Sequence, residues 1–369
     1  MRNVVVCCDG TANEFAKDRT NVVKLYFTLV DDPARQITFY HPGIGTMEPP
    51  GALTRYSRAV TKLAGQAIGW GLESDIRDAY AFLMNHFSPG DNLYLFGFSR
   101  GAYTVRAVSS LLKMYGLMRP GNEAMIPYAI RMMMAVTNLT KRNSDAQRSA
   151  ADDYFELAAD FRSTYGKTAC TPYFVGVWDT VSSVGWIENP LHLPYSADNG
   201  DIRIGRHAIA IDERRAFFRT NLWRPRPGGG PKDLKQVWFA GVHCDVGGGY
   251  PESESGLSKI ALEWMLREAR QAGLLTVADR EQSILGYAGG KKYVRPDPRA
   301  QMHESLKGFW NLAEFVPKKH YNWDSGKEER RMNLFRRRTI PQGAMIHASA
   351  YERGQQYTTQ LPASAIVVT

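Results

Sequence analysis

Three residue types that cooperate in nucleophilic catalysis stand at the ends of apolar runs in this chain of 369 residues: Ser99 after LYLFGF, Asp179 after TPYFVGVW, and His243 after QVWFAGV. A serine hydroxyl is a poor nucleophile until a base takes its proton. An imidazole acts as that base when a carboxylate fixes its tautomer and stabilises its cation. The chemistry these three allow together is acyl transfer from an ester to water through an acyl-enzyme.

Ser99 sits in Gly97-Phe98-Ser99-Arg100-Gly101, a G-x-S-x-G pentapeptide. The apolar run Leu93 to Phe96 before it reads as a strand buried on both faces. AYTVRAVSSLLKMYGLM after it has helical periodicity and ends near Gly116. Strand, sharp turn and helix are the context a nucleophile elbow requires, because glycine at the flanking positions lets strand and helix approach closely around a strained serine. Ser99, Asp179 and His243 also follow the chain order of an α/β-hydrolase triad.

Of the eight histidines, His243 stands apart because Gly247-Gly248-Gly249 follows it, a backbone that can carry the ring toward a nucleophile. Asp212 and Asp245 compete with Asp179 for the role of orienting it. The oxyanion hole requires the N–H of Arg100 plus one from Gly10 or Thr11 in the DGT loop that ends the first strand. Asp9, His243 and Asp245 offer a rival reading as a metal-dependent phosphoester hydrolase, but no second histidine stands at ligand spacing. No cofactor is expected.

The elements that must position these residues alternate. Arg2 to Thr11 opens with the strand VVVCC, a helix starts at Thr20-Asn21-Val22, QITFY is a second strand, and a helix from about Gly69 to Phe87 precedes the elbow. Such alternation predicts a mostly parallel sheet with crossover helices, an α/β-hydrolase-like architecture with every strand's C-terminal end on one rim. Residues 119–168 read as a helical insertion in the place of a lid, and Met125 and Met132-Met133-Met134 would suit a greasy substrate or a plain core. Beyond the strand at 171–180, residues 206–223 with Asp212-Glu213-Arg214-Arg215 read as a charged helix. Gln236 to Val242 reads as a strand and Ser258 to Gly273 as a helix.

Hydrophobic content of 44% and charged content of 22% describe an ordinary globular protein, and the four cysteines lack metal-ligand spacing. No apolar run is long enough for a membrane helix, and the N-terminus carries no cleavable signal, so a cytoplasmic location is the default expectation, with signal-less export compatible. Net charge is +9, and residues 291–338 hold 13 Lys/Arg against 6 Asp/Glu. That basic region suits an anionic membrane surface; no nucleic-acid motif accompanies it. Docking through Lys318, Lys319 and Arg336 to Arg338 without catalysis is the other reading.

VVVCCDGTAN, GFSRGAYTVR, GVWDTVSSVG, HAIAIDERR, WFAGVHCDVGGGY and the terminal IHASAYER together resemble an uncharacterised α/β-hydrolase family. That family includes the catalytic domains of class-one type VI secretion phospholipase effectors. The resemblance implies one catalytic domain over residues 1–369 with the Ser-Asp-His triad at Ser99, Asp179 and His243, and phospholipase-type ester hydrolysis.

Overall fold

Runs such as VVVCC and LYLFGF have no polar face, so they are stable only where both faces are covered, in the middle of a sheet with helices on either side. The computed structural model describes residues 1–10, 19–43, 57–140, 145–181, 185–186, 189–190, 193–216, 218–224, 229–290, 292–307, 311, 314–315, 317–322 and 327–369. Eight strands form its central sheet: β1 (Asn3–Cys8), β2 (Gln36–His41), β3 (Asn92–Phe98), β4 (Pro172–Trp178), β5 (Ile204–Ala210), β6 (Asp233–Phe239), β7 (Met345–His347) and β8 (Ile366–Val368). Their spatial order is β8-β7-β6-β5-β4-β3-β1-β2, and all seven pairings are parallel.

The side-chain period of two divides each strand between two cores. Val4, Val6, Leu93 and Leu95 face α2 (Ser57–His86) and α3 (Arg100–Tyr115). Val5, Tyr94, Phe96 and Phe98 face α1 (Asn21–Thr28) and a later helix, Gly256–Gln271. The chain leaves β1 for β2 on one side and returns past it to β3 on the other. This reversal opens a crevice beyond the C-terminal ends of β1 and β3, and Asp9-Gly10 and Ser99 follow those two ends.

Between α3 and β4 lie two helices, α4 (Ile126–Thr140) and α5 (Asp145–Tyr165). Leu117–Met118 pairs antiparallel with Gly166–Thr168 and ties the base of this excursion. Met132 and Met133 are buried in the core beside Tyr80 and Leu111. The methionine run therefore packs the protein's own interior.

Two elements differ from the sequence expectation. Helix α2 begins well before Gly69, in a stretch whose Gly65, Gly69 and Gly71 weaken the local helical signal. Residues 206–223 do not form a charged helix: 204–210 are the strand β5, and Asp212 to Arg215 lie in the loop after it. The charge at Arg206 is neutralised by Glu268 (2.6 Å) and Asp233 (2.8 Å), so a charged residue marks a buried strand. Lys318–Asn322 and Lys327–Arg331 form a separate antiparallel ribbon in the basic region.

Candidate active site

Ser99 occupies the turn between β3 and α3 with φ 58° and ψ −117°, a conformation a non-glycine residue rarely adopts without a compensating constraint. The two glycines of the pentapeptide supply that constraint. A Cβ on Gly97 would lie 2.5 Å from the carbonyl oxygen of Gly101, and one on Gly101 would lie 2.1 Å from that of Cys8. Glycine at both positions lets α3 close onto β3 and β1, which drives the serine outward at the helix N-terminus.

Parallel register then places Asp179 beside it. Phe98 pairs with Trp178, the Ser99 N–H donates to the Trp178 carbonyl (3.1 Å), and Asp179 is the next residue. Asp179 also has positive φ, 37°. His243 opens a short helix (His243–Gly247) just past β6, and its Nδ1 lies 2.5 Å from Asp179 Oδ2. Phe98, adjacent to Ser99, packs on the His243 ring with centroids 4.6 Å apart, and Phe218 meets that ring edge-on at 4.8 Å. Glu213 Oε2 accepts from the His243 N–H (3.1 Å). Ser99, Asp179 and His243 thus follow strand ends on one rim, all buried.

Asp179 carries more than the imidazole. Its Oδ1 accepts from the Ala210 N–H (3.0 Å) and from Arg338 Nη1 (2.5 Å), and its Oδ2 from Arg338 Nη2 (3.0 Å). Burial pushes its carboxyl pKa up, but the Arg338 charge and the bonds to His243 and Arg338 outweigh that and hold it well below the usual range. Burial likewise opposes ionisation of Glu213, and Arg215 (2.9 Å) brings its pKa down to about 2.

Arg338 is thus a member of the site. A run of like charges carries no sign of which member folds inward. The Arg338 side chain is 7% exposed, whereas Arg336 and Arg337 remain exposed. The side chains of Lys318 and Lys319 lie outside the described residues. No local pattern in RRR singles out Arg338, and Glu213 and Phe218 were equally silent; the His243 they meet lies 25 or more residues away in sequence.

Asp245 does not orient His243. Its Oδ1 lies 2.6 Å from Nδ1 of His303, and its Oδ2 accepts from the Val242 and His303 amides (both 3.1 Å). Asp212 binds the Gly241 N–H (2.8 Å) and the Tyr357 hydroxyl (2.6 Å). Asp9 accepts from Thr20 Oγ1 (2.6 Å), Tyr40 OH (2.9 Å) and the Gly10 N–H (2.7 Å), which makes it a brace for its own loop. The three residues of the metal reading are therefore each held by a different protein partner. Among the described residues no group of three or more His, Cys, Asp or Glu is arranged to hold a metal ion.

The oxyanion donors divide. Arg100 is the first residue of α3, in the turn whose amides point out of the helix end. The Gly10 amide is engaged by Asp9 Oδ1, so in this conformation it is not offered to the cleft. Thr11 lies outside the described residues. The Arg100 side chain is largely buried, which lowers its pKa to about 10 against the pull of Asp75. Burial pushes Asp75 up to about 7.

Residues 2–268 match the type VI secretion system phospholipase effector Tle1-like catalytic domain. The uncharacterized protein YEL023C of Saccharomyces cerevisiae is 32% identical over 234 residues, covering 61% of this chain and 33% of that protein. A solved structure of the Tle1 effector bound to the VgrG spike is 21% identical, with a TM-score of 0.33, covering 69% of this chain and 53% of the other. The chain thus spans about a third of the yeast relative and about half of the solved one. With nearly three quarters of its length inside the match, this chain belongs to the family of Tle1-like phospholipase effector catalytic domains.

Proposed function

We propose that this protein is a serine hydrolase that cleaves carboxylic ester bonds of phospholipids. The observation that carries the reading is the strained Ser99 elbow set beside a buried His243 whose Nδ1 lies 2.5 Å from Asp179. In the cycle this geometry supports, Ser99 Oγ attacks the ester carbonyl as Nε2 of His243 takes its proton. The Arg100 N–H is one donor to the oxyanion. Collapse expels the alcohol with a proton from the imidazolium, and water repeats the sequence to release the acid. Every step is proton transfer or carbonyl addition, so side chains and water suffice. Family membership supports phospholipid as the ester, and the whole chain acts as one catalytic unit with residues 119–168 inserted.

The partner surface belongs to the same reading. Phe315, Met332, Leu334 and Phe335 are exposed, and Arg336 and Arg337 follow directly. Apolar side chains ringed by arginines suit an anionic bilayer, where each cation near the surface contributes about 1 kcal/mol.

The test is fluorophosphonate labelling of the purified protein, together with fatty-acid release from vesicles of mixed zwitterionic and anionic phospholipid. Labelling and release that require Ser99 and His243 support the reading. A folded wild-type protein that neither labels nor releases fatty acid, with or without detergent, overturns it.

A further inference from the structure

We propose that Arg338 is a positioning residue of this site: its guanidinium keeps Asp179 ionised and aimed at His243, so that the imidazole is held for Ser99. The inference rests on the hydrolase reading and adds a fourth functional residue to it. Arg338 lies beyond the residues that match the family.

The argument starts from a conflict. A carboxylate buried on all sides becomes neutral unless a charge or several donors hold it ionised. A neutral Asp179 cannot stabilise a cation on His243, because the step that matters creates that cation. The donors on Asp179 are His243, one backbone amide and the two ends of the Arg338 fork. Of these, Arg338 alone carries a permanent charge. Its planar fork reaches both carboxylate oxygens, which fixes the direction of the carboxylate as well as its ionisation.

Arg338 is itself immobilised. Nη1 donates to the Ala210 carbonyl (3.1 Å), and Nη2 and Nε donate to the Phe218 carbonyl (2.6 and 3.2 Å). Ala210 therefore binds Asp179 through its N–H and Arg338 through its oxygen. Phe218 binds Arg338 through its backbone and supports the His243 ring with its side chain. The contacts form one closed circuit around the aspartate and the histidine. Arginines that merely decorate a surface make no such circuit.

Arg338 also lines an open pocket of about 300 Å³ with Ile211, Arg337, Ile340, Tyr357 and Leu361. Removing the side chain from this side leaves space that a small planar cation can enter.

The test compares wild type with Arg338→Met, which keeps length, and with Arg338→Ala supplied with guanidinium at non-denaturing concentration. Two readouts are taken: the rate of fluorophosphonate labelling as a function of pH, and the low-field proton resonance of the His243–Asp179 bond. The charged and titratable groups facing Asp179 are His243 and Cys244 from the short helix, His207 from β5 with Arg106 of α3 behind it, Glu213 from the loop after β5, and Arg338. Burial lowers His207 to about 3, Glu213 lies at about 2, and burial raises Cys244 to about 12. Arg338 also lowers Glu213 and His207, so the low-field resonance of the His243–Asp179 bond is what ties a moving limb to that pair.

Loss of Arg338 is expected to slow labelling on the order of 10²-fold, the size of effect that follows from small misplacement of a reacting group. The acid limb moves up in pH, since without the guanidinium Asp179 holds its proton to higher pH. The low-field proton weakens or shifts, and guanidinium restores part of the rate to Arg338→Ala. The proposal is overturned if Arg338→Met labels with the wild-type rate and profile. It is equally overturned if the rate falls only in proportion to unfolded protein, with limb and resonance unchanged. If both variants fail to fold, Arg338→Lys keeps the charge and loses the fork, so it is read by rate and resonance: a slower rate with an altered resonance supports the proposal, and wild-type values of both overturn it. The resonance is independent of turnover, so it decides the role of Arg338 even if no ester proves to be a substrate.

Discussion

Two carboxylate–histidine pairs of nearly equal length lie close together in the sequence of this protein, and they are built for different ends. Asp179–His243 (2.5 Å) is buried at both members, its aspartate is tied to a guanidinium, and the residue next to the elbow serine packs on its ring. Asp245–His303 (2.6 Å) begins two residues after His243. Its histidine is 19% exposed, stacks on Tyr250 with centroids 3.7 Å apart, and meets a second carboxylate, Glu254, at 2.8 Å through its other nitrogen. In the second pair both ring nitrogens face acids. Burial pulls His303 down, but Glu254 and Asp245 more than reverse this, and its pKa rises. A histidine with a carboxylate on each ring nitrogen is a tie between segments, while the proposed base, His243, has its carboxylate on Nδ1. The distance between carboxylate and imidazole does not separate the two cases; what the far nitrogen meets does.

The largest effect that breaks the comparison comes from the nucleophile and the base. Ser99→Ala and His243→Ala each lower turnover about 10⁵- to 10⁶-fold, with unchanged circular dichroism, whereas His303→Ala leaves the labelling rate within a few-fold of wild type. Equal losses from His243→Ala and His303→Ala would make the second pair part of the chemistry. Next in size is Asp179→Asn, which keeps the shape and loses the charge that selects the imidazole tautomer. Turnover is expected to fall about 10⁴-fold. Asp245→Asn, measured in the same assay, leaves chemistry nearly intact and lowers stability.

Gly247→Ala sharpens the contrast at the level of packing. A Cβ there would lie 1.9 Å from the Phe98 ring, which supports His243. Overpacking of this kind costs about 1–3 kcal/mol, and here the displaced ring also supports the imidazole. Both melting temperature and labelling rate should fall. A melting change with no loss of labelling would show that the Phe98 ring has no part in holding the base.

Legibility from sequence followed the locality of each signal. The β3 elbow could be read because strand, glycines and helix are contiguous over a few residues, and α1 because Thr20 caps it through Val23. The mostly parallel sheet expected from alternation of apolar runs with helical periods is parallel at all seven pairings. β5 was misread because Arg206 and the Asp212 to Arg215 cluster look like a solvated helix, and the ion pairs that neutralise Arg206 come from Asp233 and Glu268. Arg338 was misplaced for the same reason: in a run of three arginines, Asp179 and the carbonyls of Ala210 and Phe218, all more than a hundred residues earlier, decide which one turns inward. Charge tells a reader that a partner is required. It does not tell whether that partner is water, a membrane or an aspartate across the fold.

The smallest expected effect tests the histidine that has a carboxylate on each ring nitrogen. Glu254→Gln removes one of the two acids on His303 and leaves Asp245 in place. A group whose folded pKa is raised contributes stability that is complete below its unfolded pKa, about 6.5 for histidine, and that is lost as pH rises through the folded value. Glu254 is 54% exposed, so solvent screening keeps its share of that stability below about 1 kcal/mol. Thermal melts of wild type and Glu254→Gln should therefore differ by about 1–2 °C at pH 6 and converge toward pH 9. A gap that widens as pH rises would mean that Glu254 stabilises the fold when His303 is neutral. The second pair would then lack the locked charge that sets it apart from Asp179–His243.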